Sequence, residues 1–346
     1  MVTEDIVKPA RYAMDASPQV RAALAALGRT EDVRFSPDNS LLCLAGFERR
    51  RLLLLRVRIA SDGPVRIDDF LELSSDAIGA AHGIDFIDDA TLVVANRDGR
   101  VAVLALPQHW PADQICHVEP VLDLRRSVSF KIRSPGSVAV RRHSFGLVSL
   151  YVCQNYAHRV SRHLLAPRFG FAQLWNSVAL RRGLDIPDGI AISPDQRWIA
   201  VSSHGTGDVK IFDASRALGS STEPAGLLSG VSYPHGVRFA PDGRHIVVAD
   251  AGRPVLQIYR GDGGWQGEHR PARTAAVLDA ASFRRGQASE EEGGPKGLDI
   301  DRSGTVVAIT CAEEPLSFFP LPGLLGEDAG RQEERLRTTD GAATGQ

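Results

Sequence analysis

The sequence has few aromatic residues and no large excess of charge of either sign. Of its 346 residues only 6% are aromatic, and the formal net charge is −2. So few rings do not provide a stacking platform for single-stranded nucleic acid. A nearly neutral chain also has no overall basic field that would attract a nucleic acid. We therefore expect no nucleic-acid partner.

The sequence also lacks any segment that would enter a membrane. No run reaches 18 apolar residues, and no charged start followed by an apolar run marks the N-terminus. The four cysteines show no C-x-x-C spacing. Three of them (Cys43, Cys153 and Cys311) lie in or at the end of predicted strands, which favours buried free thiols. These features predict a soluble cytoplasmic protein with no membrane partner.

Several catalytic and nucleotide-binding motifs are missing. The chain contains no G-x-S-x-G, no H-E-x-x-H, no Walker loop and no G-x-G-x-x-G after a predicted strand. The phrase HGTGD at 204–208 is typical of a turn between strands. No Ser or Cys stands out as a nucleophile.

What the sequence does contain is a repeated phrase. PHGVRFAPDGRHIVVAD at 234–250 is typical of two short strands joined by a tight turn, the second rich in β-branched residues. Related phrases occur at 30–46, 81–96, 135–155, 187–203 and 295–311. A strand-only repeat of about fifty residues indicates a β-propeller with one blade per repeat. We predict an all-β, six-bladed propeller with four-stranded blades around a central channel.

The propeller should occupy residues 29–323, with a short segment on either side. Residues 1–28 include a predicted helix at 17–27, with Ser17 as its cap. Blade six lacks an obvious fourth strand, so this N-terminal segment is a candidate to close it. Residues 324–346 have the composition of a flexible tail. The polar insert at 284–294 is predicted to be a mobile loop beside the channel mouth.

The residue at the start of each inner strand is the main candidate for function. In a propeller these six positions converge on one axis, and here they are Glu31, His82, Gly136, Asp188, His235 and Lys296. Such a set can bind a metal or perform acid–base chemistry. The alternative is structural, because a wet channel tolerates polar residues and because Asp and His can hydrogen-bond the ends of strands.

A second ring of candidates comes from the ends of the second strands. Its members are Asn96, Asn155, His204 and Asp250. They could orient the imidazoles of the first ring from behind. The alternative is that they are turn residues that close their strands.

The phrases at 187–203 and 234–250 resemble blades of the gluconolactonase and NHL-repeat superfamily, and also lactonase-like surface-layer repeats. In gluconolactonase-type enzymes a divalent cation is held at the channel mouth by a Glu of the first blade and by Asn and Asp of later blades. Glu31 occupies the Glu place, whereas Asp188 and His235 stand where that family has Asn and Asp. In NHL-type peptidylamidoglycolate lyases, PHG-like histidines bind zinc. His82 and His235 resemble these, and a third His is missing.

The resemblance implies one divalent metal held by Glu31, His82, Asp188 and His235. Mixed imidazole and carboxylate ligands favour Zn, Fe, Mn or Ni over Ca. The metal would polarise a carbonyl or activate water, with Lys296 or His82 as the acid–base residue. We predict a lactone or ester hydrolase that acts on a small metabolite in the central channel.

Two alternatives remain open. One is a lyase or isomerase that uses the acid–base residues of the ring. The other is a non-catalytic propeller that binds a ligand or a protein partner, with the charged corner at 48–51 and the 284–294 loop as candidate contacts.

Overall fold

The structure is a computed structural model that describes residues 6–60, 64–287 and 289–326. The predicted tail at 324–346 lies outside the described residues from position 327 onward. Residue 288, within the predicted loop at 284–294, also lies outside them.

Strands account for most of the regular structure. The chain begins with β1 (Ile6–Val7), β2 (Met14–Ala16) and the helix α1 (Pro18–Leu27). Blade one contains β3 (Thr30–Phe35), β4 (Leu41–Gly46), β5 (Arg51–Ile59) and β6 (Val65–Ser74). Blade two contains β7 (Ala81–Asp88), β8 (Thr91–Asn96), β9 (Arg100–Ala105) and, after β10 (Ile115–His117), β11 (Pro120–Arg125). Blade three contains β12 (Pro135–Arg142), β13 (Val148–Gln154), β14 (Arg159–Ala166) and β15 (Ala172–Leu180).

The second half of the chain repeats this plan. Blade four contains β16 (Pro187–Ile192), β17 (Trp198–Ser203), β18 (Asp208–Asp213) and β19 (Gly226–Leu228). Blade five contains β20 (Pro234–Phe239), β21 (His245–Asp250), β22 (Val255–Arg260) and, after β23 (Gly267–His269), β24 (Arg273–Ala276). The helix α2 (Ala280–Arg285) precedes blade six, which contains β25 (Leu298–Ile300), β26 (Val306–Ile309) and β27 (Ser317–Pro320) and is followed by α3 (Leu321–Leu325).

Within each blade, consecutive strands pair antiparallel from the channel outward. The predicted six-bladed, all-β propeller is confirmed. Among the described residues, blade six has three paired strands rather than four. Three blades gain further strands at their outer edge, and all of these pair parallel: β2 and β10 on β6, β23 on β19, and β1 on β24.

The N-terminal segment runs across the place where the ring closes. β1 pairs with blade five, Tyr12 forms an antiparallel bridge with Phe318 of blade six, and β2 pairs with blade one. The amide of Tyr12 donates to the carbonyl of Phe318 at 2.9 Å. The segment therefore links the first blade to the last two.

The core lies between the blades. Among the described residues, the buried apolar side chains form six clusters, and each fills the space between two adjacent blades. The cluster between blades six and one also receives Val20, Leu24 and Leu27 of α1. This arrangement leaves the polar inner strands around the axis as the natural place for a site.

Two smaller expectations can also be compared with the fold. All four cysteines are free, and Cys43, Cys153 and Cys311 are buried. In the part of the chain that the structure describes, no helix has the length and apolar character needed to cross a bilayer.

Candidate functional site

Five of the six inner strands begin with an irregularity in their pairing, and in four of these blades it turns a side chain toward the axis. The pairing register between inner and second strands shifts at the positions that contain Glu31, His82, Asp188 and His235. A β-bulge bends a strand and re-aims a side chain, which is why bulges are common beside functional sites. The repeat thus places one such side chain per blade at the same end of the channel.

The glycine that follows several of these residues has a packing role. A Cβ atom on Gly189 would lie 2.0 Å from the carbonyl oxygen of His235, and one on Gly236 would lie 2.5 Å from that of Lys296. Real Cβ atoms do not approach a backbone so closely. Glycine is therefore needed because the next blade's inner strand passes directly beside it.

The structure brings the ionisable members of the predicted ring together, and it buries them. The exposed fractions are 1% for Glu31, 3% for His82, 1% for Asp188, 4% for His235 and 2% for Lys296. Buried charges of this kind require partners or a ligand. The sixth position, Gly136, contributes no side chain, and Asn155 lies where one would be.

Asp188 is held through one oxygen and leaves the other free. Its Oδ1 accepts hydrogen bonds from Asn155 Nδ2 at 2.6 Å and from Arg97 at 3.2 Å. Its Oδ2 is buried and has no hydrogen-bond partner among the described residues. The Nε2 atoms of His235 and His204 lie 3.2 and 3.5 Å from this oxygen. The free lone pairs of Asp188 thus face two imidazoles.

Glu31 lies on the other side of His235. Its Oε2 is 3.3 Å from His235 Nε2, and its Oε1 is 3.3 Å from Lys296 Nζ. Arg29 also donates to Glu31. Lys296 in turn donates to Glu292 at 2.6 Å. Glu292 comes from the insert at 284–294, so that loop contributes a carboxylate to the site.

The electrostatics keep both buried carboxylates ionised. Burial alone would raise the pKa of Glu31, but Lys296, His235 and His82 together hold that pKa well below its usual range. Burial would likewise raise the pKa of Asp188, and His235, His82 and His204 lower it well below its usual range. For His235, burial acts to lower the pKa, but Asp188 and Glu31 outweigh it and raise the pKa.

The pKa of His82 is shifted in the opposite direction from that of His235. Its Nε2 lies 2.7 Å from the guanidinium of Arg97, so this nitrogen is an acceptor. Burial and the positive charge of Arg97 lower the pKa of His82 to about 3. The ring is therefore neutral at pH 7, and it stacks against His235 with ring centres 5.4 Å apart.

The residues predicted to form a second ring separate into two pairs. Asn155 and His204 both reach Asp188, and His204 lies at the site itself rather than behind it. Asn96 instead bonds backbone atoms of residues 77, 79 and 100, and Asp250 accepts from the amides of residues 232, 233 and 252. Asn96 and Asp250 thus fix the loops that precede two inner strands and bond no ring side chain, contrary to the expectation.

Among the residues that the structure describes, two groups of side chains could hold a metal ion. One is Glu31, His82 and His235, and the other is Asp188, His204 and His235; within each group the donor atoms lie within 4.8 Å of one another. The second group fits a metal better. Asp188 Oδ2 and His204 Nε2 are both buried without a hydrogen-bond partner, whereas His82 Nε2 already contacts Arg97. An oxygen and two imidazole nitrogens suit Zn, Fe or Mn rather than Ca.

Sequence reasoning missed several residues of the site. Arg97 contacts His82 and Asp188, Arg29 contacts Glu31, and Tyr233 stacks on His204 with ring centres 4.1 Å apart. Arg97 directly follows Asn96, the predicted ring residue at the end of β8. Its role depends on the direction of the side chain across blades, which the repeat does not reveal.

Comparison with known proteins identifies the fold. No protein-family model and no curated protein matches the sequence. Among solved structures, a gluconolactonase from Xanthomonas campestris is 18% identical, with 92% of this chain and 96% of that chain covered and a TM-score of 0.53. A luciferin-regenerating enzyme is 14% identical, with 85% and 92% covered and a TM-score of 0.55. A chain of the mitotic checkpoint complex is 11% identical, with 84% and 76% covered and a TM-score of 0.50.

The protein is a six-bladed β-propeller. The predicted likeness to gluconolactonase-type propellers is confirmed at the level of the fold. Because one of these neighbours belongs to a mitotic checkpoint complex, the propeller fold alone does not identify an activity. The function of this propeller must be argued from its ring.

Proposed function

We propose that this propeller is a metal-dependent hydrolase that opens a lactone or ester of a small metabolite at the channel mouth. The observation that carries the proposal is the convergence of Asp188 Oδ2, His204 Nε2 and His235 Nε2, two of which have no hydrogen-bond partner among the described residues. The fold shared with a gluconolactonase supports this reaction class.

Asp188, His204 and His235 would hold the metal, and Asn155 and Arg97 would orient Asp188 from behind. A bound divalent cation supplies Lewis acidity and lowers the pKa of water. Around it, the ammonium of Lys296 can stabilise the negative charge that develops on the carbonyl oxygen. Lys296 can then give a proton to the leaving alkoxide. Neutral His82 can hydrogen-bond the substrate.

The substrate would enter beside His204. A cavity of about 520 Å³ opens there and is lined by His204, Tyr233, Glu290 and Glu291, among others. This volume suits a small metabolite. Tyr233 stacks on His204 and so limits the movement of this imidazole, which is proposed to hold the metal. The two glutamates belong to the insert at 284–294, so this loop forms one wall of the entrance.

The test combines metal analysis with an activity screen. Untagged protein should carry close to one Zn, Fe or Mn per chain and should hydrolyse aldonolactones or aryl esters. His204→Gln should lose both the metal and the activity while remaining folded. His163→Gln is the matched control, because His163 is a buried imidazole of blade three that lies outside the ring. Protein that takes up no metal, even after dialysis against each ion, would contradict the proposal.

A second candidate is a binding propeller without catalysis. The charges of the site favour it, because the carboxylates of Glu31, Asp188 and Glu292 are matched by Lys296, Arg97 and Arg29 without any metal. Such a network would be structural. It predicts that His204→Gln changes neither metal content nor turnover, and that ring substitutions which remove a charge impair folding instead.

A further inference from the structure

The charge of the chain is distributed unevenly. Residues 124–184, which include all of blade three, contain eleven Arg and Lys residues and no Asp or Glu, although the whole chain has a formal net charge of −2. A local excess of positive charge of this size must find its counter-charge on other blades or on a ligand. Some residues of the segment have a carboxylate partner just outside it, as Arg125 has with Asp123 at 2.8 Å.

Three arginines at one end of this blade have no carboxylate partner among the described residues. Arg159 begins β14, and the neighbouring strand β15 ends directly before Arg181, because Val160 pairs with Leu180. The two arginines therefore occupy the same end of adjacent strands. Arg133 lies at that end too, since its amide donates to the side chain of Gln154, the residue that pairs with Arg159. Like charges placed side by side on paired strands repel each other.

Arg159 also has an unpartnered donor. Its Nε atom is buried and makes no hydrogen bond within the described part of the chain. No described carboxylate lies within 4.0 Å of the guanidinium groups of Arg133, Arg159 or Arg181, whereas the neighbouring Arg182 pairs with Glu223 at 3.6 Å. Burial, followed by the charges of Arg181 and Arg133, lowers the pKa of Arg159. A buried donor among uncompensated positive charges requires an anion.

We propose that Arg133, Arg159 and Arg181, the arginine site, bind the phosphate group of a phosphate monoester. Guanidinium groups present planar forks of donors that match phosphate oxygens, and phosphate carries enough charge to neutralise the cluster. A surface depression of about 530 Å³, lined by Arg181, Arg182, Ser220 and Ser221, among others, gives room for the rest of the ligand. Its serine hydroxyls are suitable hydrogen-bonding groups for a polar ligand.

The arginine site is separate from the ring but lies on the same face of the propeller. Asn155, which bonds Asp188 in the ring, comes four residues before Arg159, and the turn between them connects the two places. A phosphate ester at the arginine site would therefore bind beside the channel mouth without occupying it. The inference goes beyond the proposed hydrolase function and does not depend on it.

Thermal unfolding at constant ionic strength tests the arginine site. At about 1 mM, where the general stabilising effect of phosphate as a salt is small, sodium phosphate should raise the melting temperature of the wild-type protein more than sodium chloride does. Arg181→Gln should raise the melting temperature in chloride by about 1 °C, because it removes repulsion, and should abolish the additional effect of phosphate. Arg159→Lys keeps the charge but loses the planar fork, so it should weaken phosphate binding by about tenfold.

The control is Arg125→Gln, which makes the same charge change at an arginine that already has a carboxylate partner. It should leave the phosphate effect intact. Glucose 6-phosphate compared with inorganic phosphate distinguishes a monoester from free phosphate, and glucose alone controls for binding of the sugar. Equal effects of phosphate and chloride on the wild type would overturn the proposal. So would a phosphate effect that persists in Arg181→Gln, since binding would then occur elsewhere, for example at the ring.

Discussion

Asp188 shows how a buried carboxylate can stay available to a ligand. Two donors, Asn155 and Arg97, occupy one of its oxygens and fix its orientation, so the other oxygen keeps its lone pairs without the freedom to turn away. A purely structural aspartate would be expected to satisfy both oxygens, because each unpaired buried acceptor costs about 1–3 kcal/mol. This asymmetry distinguishes Asp188 from the loop-closing Asp250, which accepts backbone amides with both of its oxygens.

A buried histidine outside the site offers a clean pH prediction. His163 is fully buried, its Nε2 lies 3.0 Å from Ser161 Oγ, and burial lowers its pKa to about 4. In the unfolded chain its pKa is near 6.5. Between pH 6.5 and pH 4 the unfolded state therefore binds a proton that the native state does not. The contribution of neutral His163 to the free energy of unfolding is therefore fully present above pH 6.5 and decreases as the pH falls from 6.5 toward 4.

Denaturant unfolding at pH 7 and pH 5 measures this effect. The loss of unfolding free energy between the two pH values should be about 2 kcal/mol smaller in His163→Gln than in the wild type. The exposed His117 provides the control, and His117→Gln should behave as the wild type does. An equal loss in wild type and His163→Gln would show that His163 is protonated without penalty in the folded protein.

At the scale of elements, the repeat explains what the sequence could predict. Five of the six copies have a bulge at the start of the inner strand, and Glu31, His82, Asp188 and His235 could be placed on one ring from spacing alone. The sequence also shows the glycines that follow ring residues, such as Gly189 and Gly236, but it does not show why glycine is needed there. The structure shows the backbone of the next blade in the space of the missing side chain.

What the sequence could not predict lies between the elements. Arg97, which follows a strand of blade two, bonds Asp188 of blade four. Glu292 bonds Lys296 from an insert that has no counterpart in the other repeats. The parallel edge strands were missed for the same reason. β2, β10 and β23 each pair over only three residues. Their pairing depends on which outer edge lies nearby and not on their own alternation of apolar residues.

The N-terminal segment leads to a prediction at this scale. Deletion of residues 1–16 removes β1, the bridge from Tyr12 to Phe318 and β2, so it uncovers strands of blades five, six and one together. We expect the free energy of unfolding to fall by about 3 kcal/mol, from lost hydrogen bonds and apolar contacts. Hydrogen exchange should accelerate in β24, β27 and β6, with blades two and three as the internal control. Uniform exchange would show that the segment does not contribute to closure.

At the scale of the whole molecule, the propeller is a ring of similar interfaces. Six apolar clusters among the described residues join each blade to the next, so no single interface separates the structure into halves. The inner strands add polar contacts across these interfaces. Asp188 and His204 belong to blade four, His235 to blade five and Glu31 to blade one. Groups from three blades thus meet at the axis. Each apolar cluster joins only two neighbouring blades, whereas a ligand bound at the axis would contact several blades at once.

This geometry predicts that metal binding stabilises the entire fold. A metal held by Asp188, His204 and His235 would link blades four and five. Because binding to the native state alone adds to stability, Zn²⁺ or Mn²⁺ at 100 times its Kd should raise the unfolding free energy by about 2.7 kcal/mol. Chelator should reverse the gain, and His204→Gln should abolish it while His163→Gln retains it. A gain that survives in His204→Gln would mean that the metal binds elsewhere, and Glu31, His82 and His235 would be the next group to substitute.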